Sequence, residues 1–400
     1  MHHKKITKYR FLLLLPLFIL GLFISLPQKT LAQNSITIKG RWSVQKADTW
    51  YHNQPWLVGC NYIPRTAINP IEMWQEGTFD PKTINQELGW AQNIGFNTVR
   101  VFLHYLVWVR SPETFKKRID KFLQITKRHH IKVMFVLWDD VWGKDPDLGP
   151  QPKPVPGIHN SGWMQNPGLK QRTDKALYPV FEAYVKDLLR TYGHDNRVLM
   201  WDLYNEPGNG KNPPISTMPL LKKTVQWARE VNPEQPLTIG IWNDSKAFQQ
   251  LNKFSIANSD IITYHNYNPL PNVKKEVQKL KKYGRPLLCS EYMARPRGST
   301  FKTILPYYNK EDVGAINWGF VNGKTQTIYP WNYPEGSTKA YYNAWKDDVR
   351  SVYPWQSHLT APQPKVWFHD VFHKNGKPYD STETDLIKRL TSSNKQFFGK

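Results

Sequence analysis

Two glutamates at the ends of apolar runs have the residue type and setting for acid–base chemistry. Glu206 ends a run that begins at Val198 and breaks at Pro207, and Glu291 lies in the run 286–293. Proline cannot continue a hydrogen-bonded ladder, so the first run is predicted to be a buried strand that ends in a loop. Two carboxyl groups at strand ends suit the cleavage of a glycosidic bond, in which one group stays protonated and the other stays ionised.

Glu206 is predicted to be the acid/base and Glu291 the nucleophile. Repulsion from Glu291 should raise the pKa of Glu206, while Arg100 and a tyrosine hydroxyl should hold Glu291 ionised. Asn205 is a neutral donor suited to a sugar hydroxyl. The side chains predicted to bind substrate lie at the ends of the apolar runs: Arg100, His104, Asp139, Asn205, Trp242, His265, Tyr267 and Trp318.

Purely structural roles are the alternative for several of these residues. Glu291 and Arg100 would then form a buried ion pair that serves only the fold, His265 would be a core histidine, and Trp318 would be barrel packing. Asp139 and the aspartate after it suit loop capping or substrate hydrogen bonding better than metal binding, because no third ligand is near in the sequence. We therefore predict no metal and no other cofactor.

Eight short apolar runs alternate with helical stretches along the chain. The runs are 57–64, 98–105, 132–139, 198–207, 236–242, 260–267, 286–293 and 314–320. Alternating strands and helices form parallel sheets with right-handed crossovers, and eight such units favour a closed (β/α)₈ TIM barrel of the α/β class. The alternation of apolar and polar residues in 36–56 predicts a short N-terminal strand pair that closes the barrel floor.

Long connections follow two of the predicted strands, at 141–175 and 322–337. Long loops at strand C-termini shape the substrate clefts of barrel enzymes. The barrel domain is predicted to span 33–352, with a helix at 338–352, and 353–400 is predicted to be a C-terminal strap packed on it. The tryptophans predicted to be sugar platforms are Trp142, Trp163, Trp242 and Trp331.

Residues 1–32 have the three parts of an export signal. A basic start precedes the apolar run 11–26, and small residues follow at Thr30 and Ala32. We expect cleavage after Ala32 and a secreted or periplasmic product. An uncleaved membrane anchor is the alternative, because the run is only slightly shorter than a spanning helix. Apart from this segment we expect no membrane contact.

The chain is basic, with a formal net charge of +22. Such an excess can indicate a nucleic-acid partner, but the lysines and arginines are scattered over predicted helix faces and form no nucleic-acid motif. We predict a β-linked glycan as partner, with an acidic polysaccharide still open, and a monomeric protein. Cys60 and Cys289 lie inside apolar runs, so both are predicted to be packing residues.

These segments resemble the retaining β-glycosidases of glycoside hydrolase clan A, most closely the cellulase-like enzymes of family 5. The resemblance covers roughly residues 55–350 and rests on NTVRVF (Arg100), WDLYNEP (Asn205, Glu206), YHNYN (His265, Tyr267), LLCSEYM (Glu291) and INWGF (Trp318). It implies that Glu206 is the acid/base and Glu291 the nucleophile. The family usually carries a histidine at the end of the third strand, where this chain has Asp139 and Asp140.

The residues and the resemblance together lead us to expect a retaining hydrolase of a β-linked poly- or oligosaccharide, of the cellulase, mannanase or xylanase type. Three alternatives remain: a barrel that binds glycans with little or no turnover, a transglycosylase with the same carboxylates, and a metal-dependent hydrolase that a chelator would inactivate. Glucan, mannan and xylan enzymes differ in their loops, so the choice among these substrates depends on the tertiary structure.

Overall fold

The computed structural model of the chain describes residues 36–141, 143, 145–210, 212–331 and 363–393. Eight parallel strands form one sheet, and of their residues only Lys132 is exposed. The strands are β1 (Val58–Asn61), β2 (Thr98–Phe102), β3 (Lys132–Val136), β4 (Val198–Asp202), β5 (Leu237–Thr238), β6 (Ile262–His265), β7 (Leu287–Glu291) and β8 (Gly314–Asn317). Near-continuous apolar runs are typical of parallel strands that are buried on both faces.

The sheet closes into a ring between β5 and β6. The ladders run in the order β5-β4-β3-β2-β1-β8-β7-β6. Beyond the end of β5, the amide of Ile241 donates to the carbonyl of Thr263 at 3.2 Å, and the amide of His265 donates to the carbonyl of Ile241 at 2.9 Å. These bonds join the two ends of the sheet, so the predicted barrel is confirmed.

Helices connect the strands and cover the outside of the ring. They are α1 (Val44–His52), α2 (Pro70–Trp74), α3 (Pro81–Asn93), α4 (Tyr105–Arg110), α5 (Pro112–Arg128), α6 (Tyr178–Tyr192), α7 (Met218–Val231), α8 (Gln249–Asn258), α9 (Leu270–Lys281), α10 (Phe301–Lys310) and α11 (Ser381–Ser393). Short 3₁₀ helices lie at Gln171–Thr173, Lys175–Leu177, Pro214–Thr217, Lys246–Phe248 and Arg295–Arg297. Several helices begin with a side-chain cap. In α3, for example, the side chain of Asp80 accepts a hydrogen bond from the amide of Thr83.

The predicted N-terminal strand pair is wrong, because its residues form helix α1. The Ser43 side chain caps this helix by accepting the amide of Lys46. Its buried residues, Ala47 and Tyr51, are four apart, which is the spacing of one helix face. They pack with Trp42 against strand residues that point into the barrel. The floor of the barrel is therefore closed by a helix.

Residues 363–393 contact the barrel near β8 and α10. The amides of Val371 and Phe372 both donate to the carbonyl of Phe320, at 2.9 and 2.8 Å. Arg295 and Glu383 form a buried ion pair at 2.7 Å, which fixes α11 to the connection after β7. This segment therefore helps to hold the connections that follow β7 and β8.

Several predictions concern residues outside the described ranges. The export signal, the helix at 338–352 and the platform role of Trp142 all fall there, and they stay predictions. Within the described ranges, no helix combines the length and apolar character that crossing a bilayer requires. Cys60 and Cys289 are both free and buried, which confirms their packing role.

Candidate active site

The two glutamates reach the mouth of the barrel from β4 and β7. Glu291 is the last residue of β7 and pairs with His265, the last residue of β6. Glu206 lies in the turn after β4 with a positive φ of 43°, an unusual conformation for a residue other than glycine. Both side chains are largely buried, with 7% of Glu206 and 5% of Glu291 exposed. The carboxyl ends of these strands therefore bring both acids to one buried site.

His265 lies between the two carboxyl groups. Its Nδ1 is 2.6 Å from Oε1 of Glu206 and 3.4 Å from Oε2 of Glu291. Oxygen atoms of the two glutamates and a ring nitrogen of His265 all lie within 4.8 Å of one another. The predicted pair of facing carboxyl groups is thus present, and the histidine joins it directly.

Arg100 is fully buried on β2 and donates hydrogen bonds to four side chains at the barrel mouth. Its guanidinium donates to Glu291 Oε1 at 2.8 Å and to Asp202 Oδ2 at 2.7 Å. It also donates to Asn61 at 2.7 Å and to Asn205 at 2.5 Å. Burial alone would lower the pKa of Arg100, but the charges of Asp202 and Glu291 outweigh it and raise the pKa. The arginine thus holds Glu291 in place from below.

Glu291 is held by donors on both oxygens. Besides Arg100, the hydroxyl of Tyr267 donates to Oε2 at 2.7 Å. The predicted contacts are therefore present, but their predicted net effect is wrong. Burial raises the pKa of Glu291, repulsion from Glu206 adds to the increase, and His265, Arg100 and Tyr267 only oppose it.

Burial raises the pKa of Glu206 to about 7. The sequence predicts repulsion from Glu291 as the cause of the increase, but the cause is burial, which removes the carboxyl group from water. Asn209 donates to Glu206 Oε2 at 2.5 Å and opposes the increase. A carboxyl group with this pKa is half protonated near neutral pH, which suits a proton donor.

His265 is neutral near pH 7, where the Glu206 carboxyl group is half protonated. Burial lowers the pKa of His265 to about 4, although Glu291 opposes the shift. Because both of its short contacts are carboxylate oxygens, we assign the ring proton to Nδ1. Its Nε2 is buried with no hydrogen-bond partner in the described part of the chain. His265 therefore lies beside both acids, and its predicted role in substrate binding stays a prediction.

Asp139 holds other side chains of the site. Its Oδ1 accepts from Asn205 Nδ2 at 2.8 Å and from the amide of Val141 at 2.9 Å, and its Oδ2 accepts from Trp163 Nε1 at 2.7 Å. Burial raises the pKa of Asp139 to about 7. Asp140 forms an ion pair with Arg172 and accepts hydrogen bonds from Tyr204, Thr217 and the amide of Gly208. The oxygen atoms of both aspartates already accept hydrogen bonds from the protein. The predicted substrate contact of Asp139 is therefore replaced by a role in positioning Asn205 and Trp163.

His104 does not line the mouth, which corrects its predicted role in binding substrate. The side chain is fully buried. Its Nδ1 accepts the amide of Leu106 at the start of α4, and its Nε2 is 3.0 Å from the carbonyl of Gln165. Both ring nitrogens are therefore used by the backbone, and His104 acts as a helix cap.

The tryptophans that are predicted to contact sugars lie on two sides of Glu206 and Glu291. Trp318 is half-buried and meets Phe102 and Trp163 edge to face, at centroid distances of 5.9 and 5.7 Å. Trp242 is also half-buried, with Nε1 3.4 Å from the carbonyl of Pro207 beside Glu206. Trp331 meets Tyr267 edge to face at 5.1 Å. Trp163 is almost fully buried, so its role is in the wall of the site.

Sequence reasoning missed two residues of the site, Asp202 and Asn209. Asp202 is a fully buried acid at the end of β4, and a lone acid in an apolar run is a signal that a buried cation must be nearby. Asn209 follows Glu206 by three residues in a turn, and the spacing alone does not show that its amide bends back to the carboxyl group. Asn61, the last residue of β1, also belongs to the site, because its side-chain oxygen accepts a hydrogen bond from Arg100.

The cluster of Glu206, His265 and Glu291 also has the ligand types of a metal site. Two carboxylates and one imidazole suit several divalent ions. Against such a site, Nδ1 of His265 is directed at Glu206 at hydrogen-bonding distance. A chelator therefore belongs among the controls of any activity measurement.

The family model "Cellulase (glycosyl hydrolase family 5)" matches residues 65–324. No curated protein sequence matches the chain. Among solved structures, an exo-β-1,4-mannosidase from an Opitutaceae bacterium has a TM-score of 0.53 at 16% identity, and the match covers 85% of this chain. This chain spans only 60% of the length of that mannosidase.

Two endo-acting relatives superpose equally well. An endo-1,4-β-mannanase from Rhizomucor miehei has a TM-score of 0.52 at 12% identity, covering 86% of this chain and 95% of that one. An endo-β-1,4-mannanase from Thermotoga petrophila has a TM-score of 0.51 at 12% identity, covering 87% and 79%. At these identities the likenesses show the fold alone. Because the family model covers more than half of the 400 residues, the chain belongs to the cellulase family, glycosyl hydrolase family 5.

Proposed function

We propose that the protein is a retaining β-glycoside hydrolase that acts on a β-linked poly- or oligosaccharide by double displacement. The observation that carries the proposal is the pair of buried carboxyl groups, Glu206 and Glu291, with oxygen atoms within 4.8 Å of each other. Carboxyl groups about 5 to 5.5 Å apart are typical of retention, whereas inverting enzymes leave a wider gap for a water molecule.

In the first step, a carboxylate oxygen of Glu291 attacks C1 of the sugar as the glycosidic C–O bond breaks. The departing oxygen takes the proton of Glu206, and a glycosyl ester of Glu291 remains. Arg100 and Tyr267 keep the attacking carboxylate aimed through their bonds of 2.8 and 2.7 Å. Glu206 is suited to the acid role because burial holds its pKa near 7.

In the second step, Glu206 is a carboxylate and removes a proton from water. The water oxygen attacks C1, the bond to Glu291 breaks, and the electron pair returns to the carboxylate. His265 is neutral and its Nδ1 donates to Glu206. It can therefore hold the carboxyl group in one orientation through both steps without adding a competing charge.

The proposal is tested by the anomeric configuration of the first product. Glucan, mannan and xylan oligosaccharides are incubated with the protein, and proton NMR follows the newly formed reducing end. We expect the β anomer to appear first and to mutarotate afterwards, at equal rates with and without EDTA. An α anomer would contradict retention, loss of turnover in EDTA would favour the metal-dependent alternative, and binding without release would favour a glycan-binding barrel.

Removing the Asn209 amide should move the alkaline limit of activity. Asn209 stabilises the ionised form of Glu206, so Asn209→Ala should raise the pKa of this acid above about 7. Activity requires the protonated acid, so the alkaline limb of kcat/KM should shift up by about 1 pH unit. Measurement of kcat/KM from pH 5 to 10 checks this. Asn85→Ala, an exposed change on α3, is the control, and an unmoved limb in Asn209→Ala would refute the role of the bond.

A further inference from the structure

Asp140 is a buried carboxylate beside the turn that carries Glu206. It lies four residues after the end of β3, and 1% of it is exposed. Its Oδ1 accepts a hydrogen bond from the hydroxyl of Tyr204, and its Oδ2 accepts one from the amide of Gly208, both at 2.8 Å. Tyr204 precedes Glu206 by two residues, and Gly208 follows it by two. One carboxylate is therefore bonded to the chain on both sides of the proposed acid.

The turn after β4 contains two residues in the left-handed region. They are Glu206 and Gly208, with φ angles of 43° and 84°. A residue other than glycine keeps such a conformation only where the surrounding structure enforces it. Pro207 has no amide hydrogen, so the amide of Gly208 is the first after Glu206 that can bond to another part of the fold. Because this amide donates to Asp140, the carboxylate restrains the turn next to its strained residue.

Asp140 also joins this turn to two further segments of the chain. The hydroxyl of Thr217, at the end of the 3₁₀ helix before α7, donates to Oδ2 at 2.5 Å. Arg172, in the connection after β3, forms an ion pair with Asp140. Arg172 is 1% exposed, and its Nε and Nη2 have no hydrogen-bond partner among the residues that the structure describes. This buried guanidinium is neutralised by Asp140, so the pair is costly to break and keeps the carboxylate in one place.

We propose that Asp140 is a positioning residue for the acid/base of the reaction. This inference rests on the proposed retaining function of Glu206 and Glu291. Asp140 does not touch the substrate, because it is buried and both of its oxygens already accept hydrogen bonds from the protein. Its bonds to Tyr204 and Gly208 set the place of the Glu206 carboxyl group relative to the departing oxygen. A displacement of about 1 Å in such a group can lower the rate about 100-fold.

The dependence of the rate on the leaving group tests the inference. The oxygen of a departing sugar needs the proton of Glu206, whereas 2,4-dinitrophenolate leaves without one. The two substrates are an oligosaccharide that the wild-type protein cleaves and the dinitrophenyl β-glycoside of the same sugar. In Asp140→Asn we expect kcat/KM to fall about 100-fold on the oligosaccharide and less than about threefold on the dinitrophenyl glycoside. Asparagine keeps the size of the side chain but loses the charge opposite Arg172 and one acceptor oxygen.

Two further variants provide the reference and the matched control. Glu206→Ala is the reference, because loss of the acid itself should lower kcat/KM far more on the oligosaccharide than on the dinitrophenyl glycoside. Asp260→Asn is the control. Asp260 is fully buried at the barrel floor and forms an ion pair with Arg229. Its oxygens also accept hydrogen bonds from the amides of Trp42 and Leu237. Its replacement should lower stability in a similar way, but the ratio of the two rates should stay at the wild-type value.

Tyr204→Phe is a milder change, and it decides the test if Asp140→Asn does not fold. It removes one hydrogen bond to Asp140 and should lower kcat/KM on the oligosaccharide about tenfold, again with little effect on the dinitrophenyl glycoside. The pH profile is a second readout. Burial raises the pKa of Glu206 to about 7, so an acid displaced toward water should have a lower pKa. The alkaline limb of kcat/KM should therefore move to lower pH, opposite to the shift expected for Asn209→Ala.

Three outcomes would contradict the assignments. An unchanged ratio of the two rates in folded Asp140→Asn, or in Tyr204→Phe, would overturn the inference and leave Glu206 as the acid. A ratio changed to the same extent in Asp260→Asn would overturn it too, because the effect would then follow from the loss of any buried aspartate. Equal losses on both substrates in Glu206→Ala would overturn the acid role of Glu206 and with it the proposed function.

Discussion

Glu291→Gln is expected to lower kcat on any cleaved β-glycoside by roughly 10³-fold or more. An amide cannot form the glycosyl ester, yet it keeps the size of the side chain and can still contact Arg100 and Tyr267. The loss should therefore fall on kcat, while thermal unfolding changes little. The measurement is steady-state hydrolysis of aryl β-glycosides, with Glu113→Gln on the exposed face of α5 as the control.

Azide distinguishes the two carboxyl groups. In Glu291→Gly the anion can occupy the space of the lost carboxylate and attack C1 from that side, which gives an α-glycosyl azide from an activated aryl β-glycoside. In Glu206→Ala, azide should instead react with the glycosyl ester and give a β-glycosyl azide. If each variant produced the other's product, the two roles would be exchanged. If the Glu291→Gln variant kept the wild-type turnover rate, Glu291 would be excluded as the nucleophile.

Arg100→Met is expected to lower the free energy of unfolding by about 3–5 kcal/mol at neutral pH. The change leaves Asp202 and Glu291 buried without their cation, and Asn61 and Asn205 each lose a donor. Chemical denaturation of this variant and of Arg190→Met, an exposed change on α6, measures the difference. Equal stabilities of the two variants would show that the buried network contributes nothing to the fold.

The pH dependence of this loss has a definite sign. Burial raises the pKa of both Asp202 and Glu291, and in each case Arg100 opposes the increase. Without Arg100 the folded-state pKa values of both groups rise further. The loss of unfolding free energy in the variant is therefore smallest when both groups are protonated. Stability relative to wild type should recover as pH falls below these raised values and should decline as pH rises through them. A deficit that is constant from pH 4 to 8 would contradict this origin.

Short-range patterns in the sequence were sufficient for the barrel. The eight short apolar runs carry polar residues in or near their carboxyl-terminal parts, and parallel strands place all their carboxyl ends at one edge. That rule alone brings Arg100, Glu206, His265 and Glu291 to one mouth, and the structure places them in direct contact. The pattern failed in 36–56, where alternation over a few residues did not distinguish a strand from the helix face of Ala47 and Tyr51.

What the sequence by itself determined is the set of strands and the acids that they carry to the mouth. What only the tertiary structure decided is the environment of those acids. Burial holds the pKa of Glu206 near 7, and the backbone contacts that turn His104 into a helix cap arise in loops distant in sequence. Gln326 joins segments about 170 residues apart. Desolvation and loop contacts depend on what covers a residue, and local sequence patterns do not contain that information.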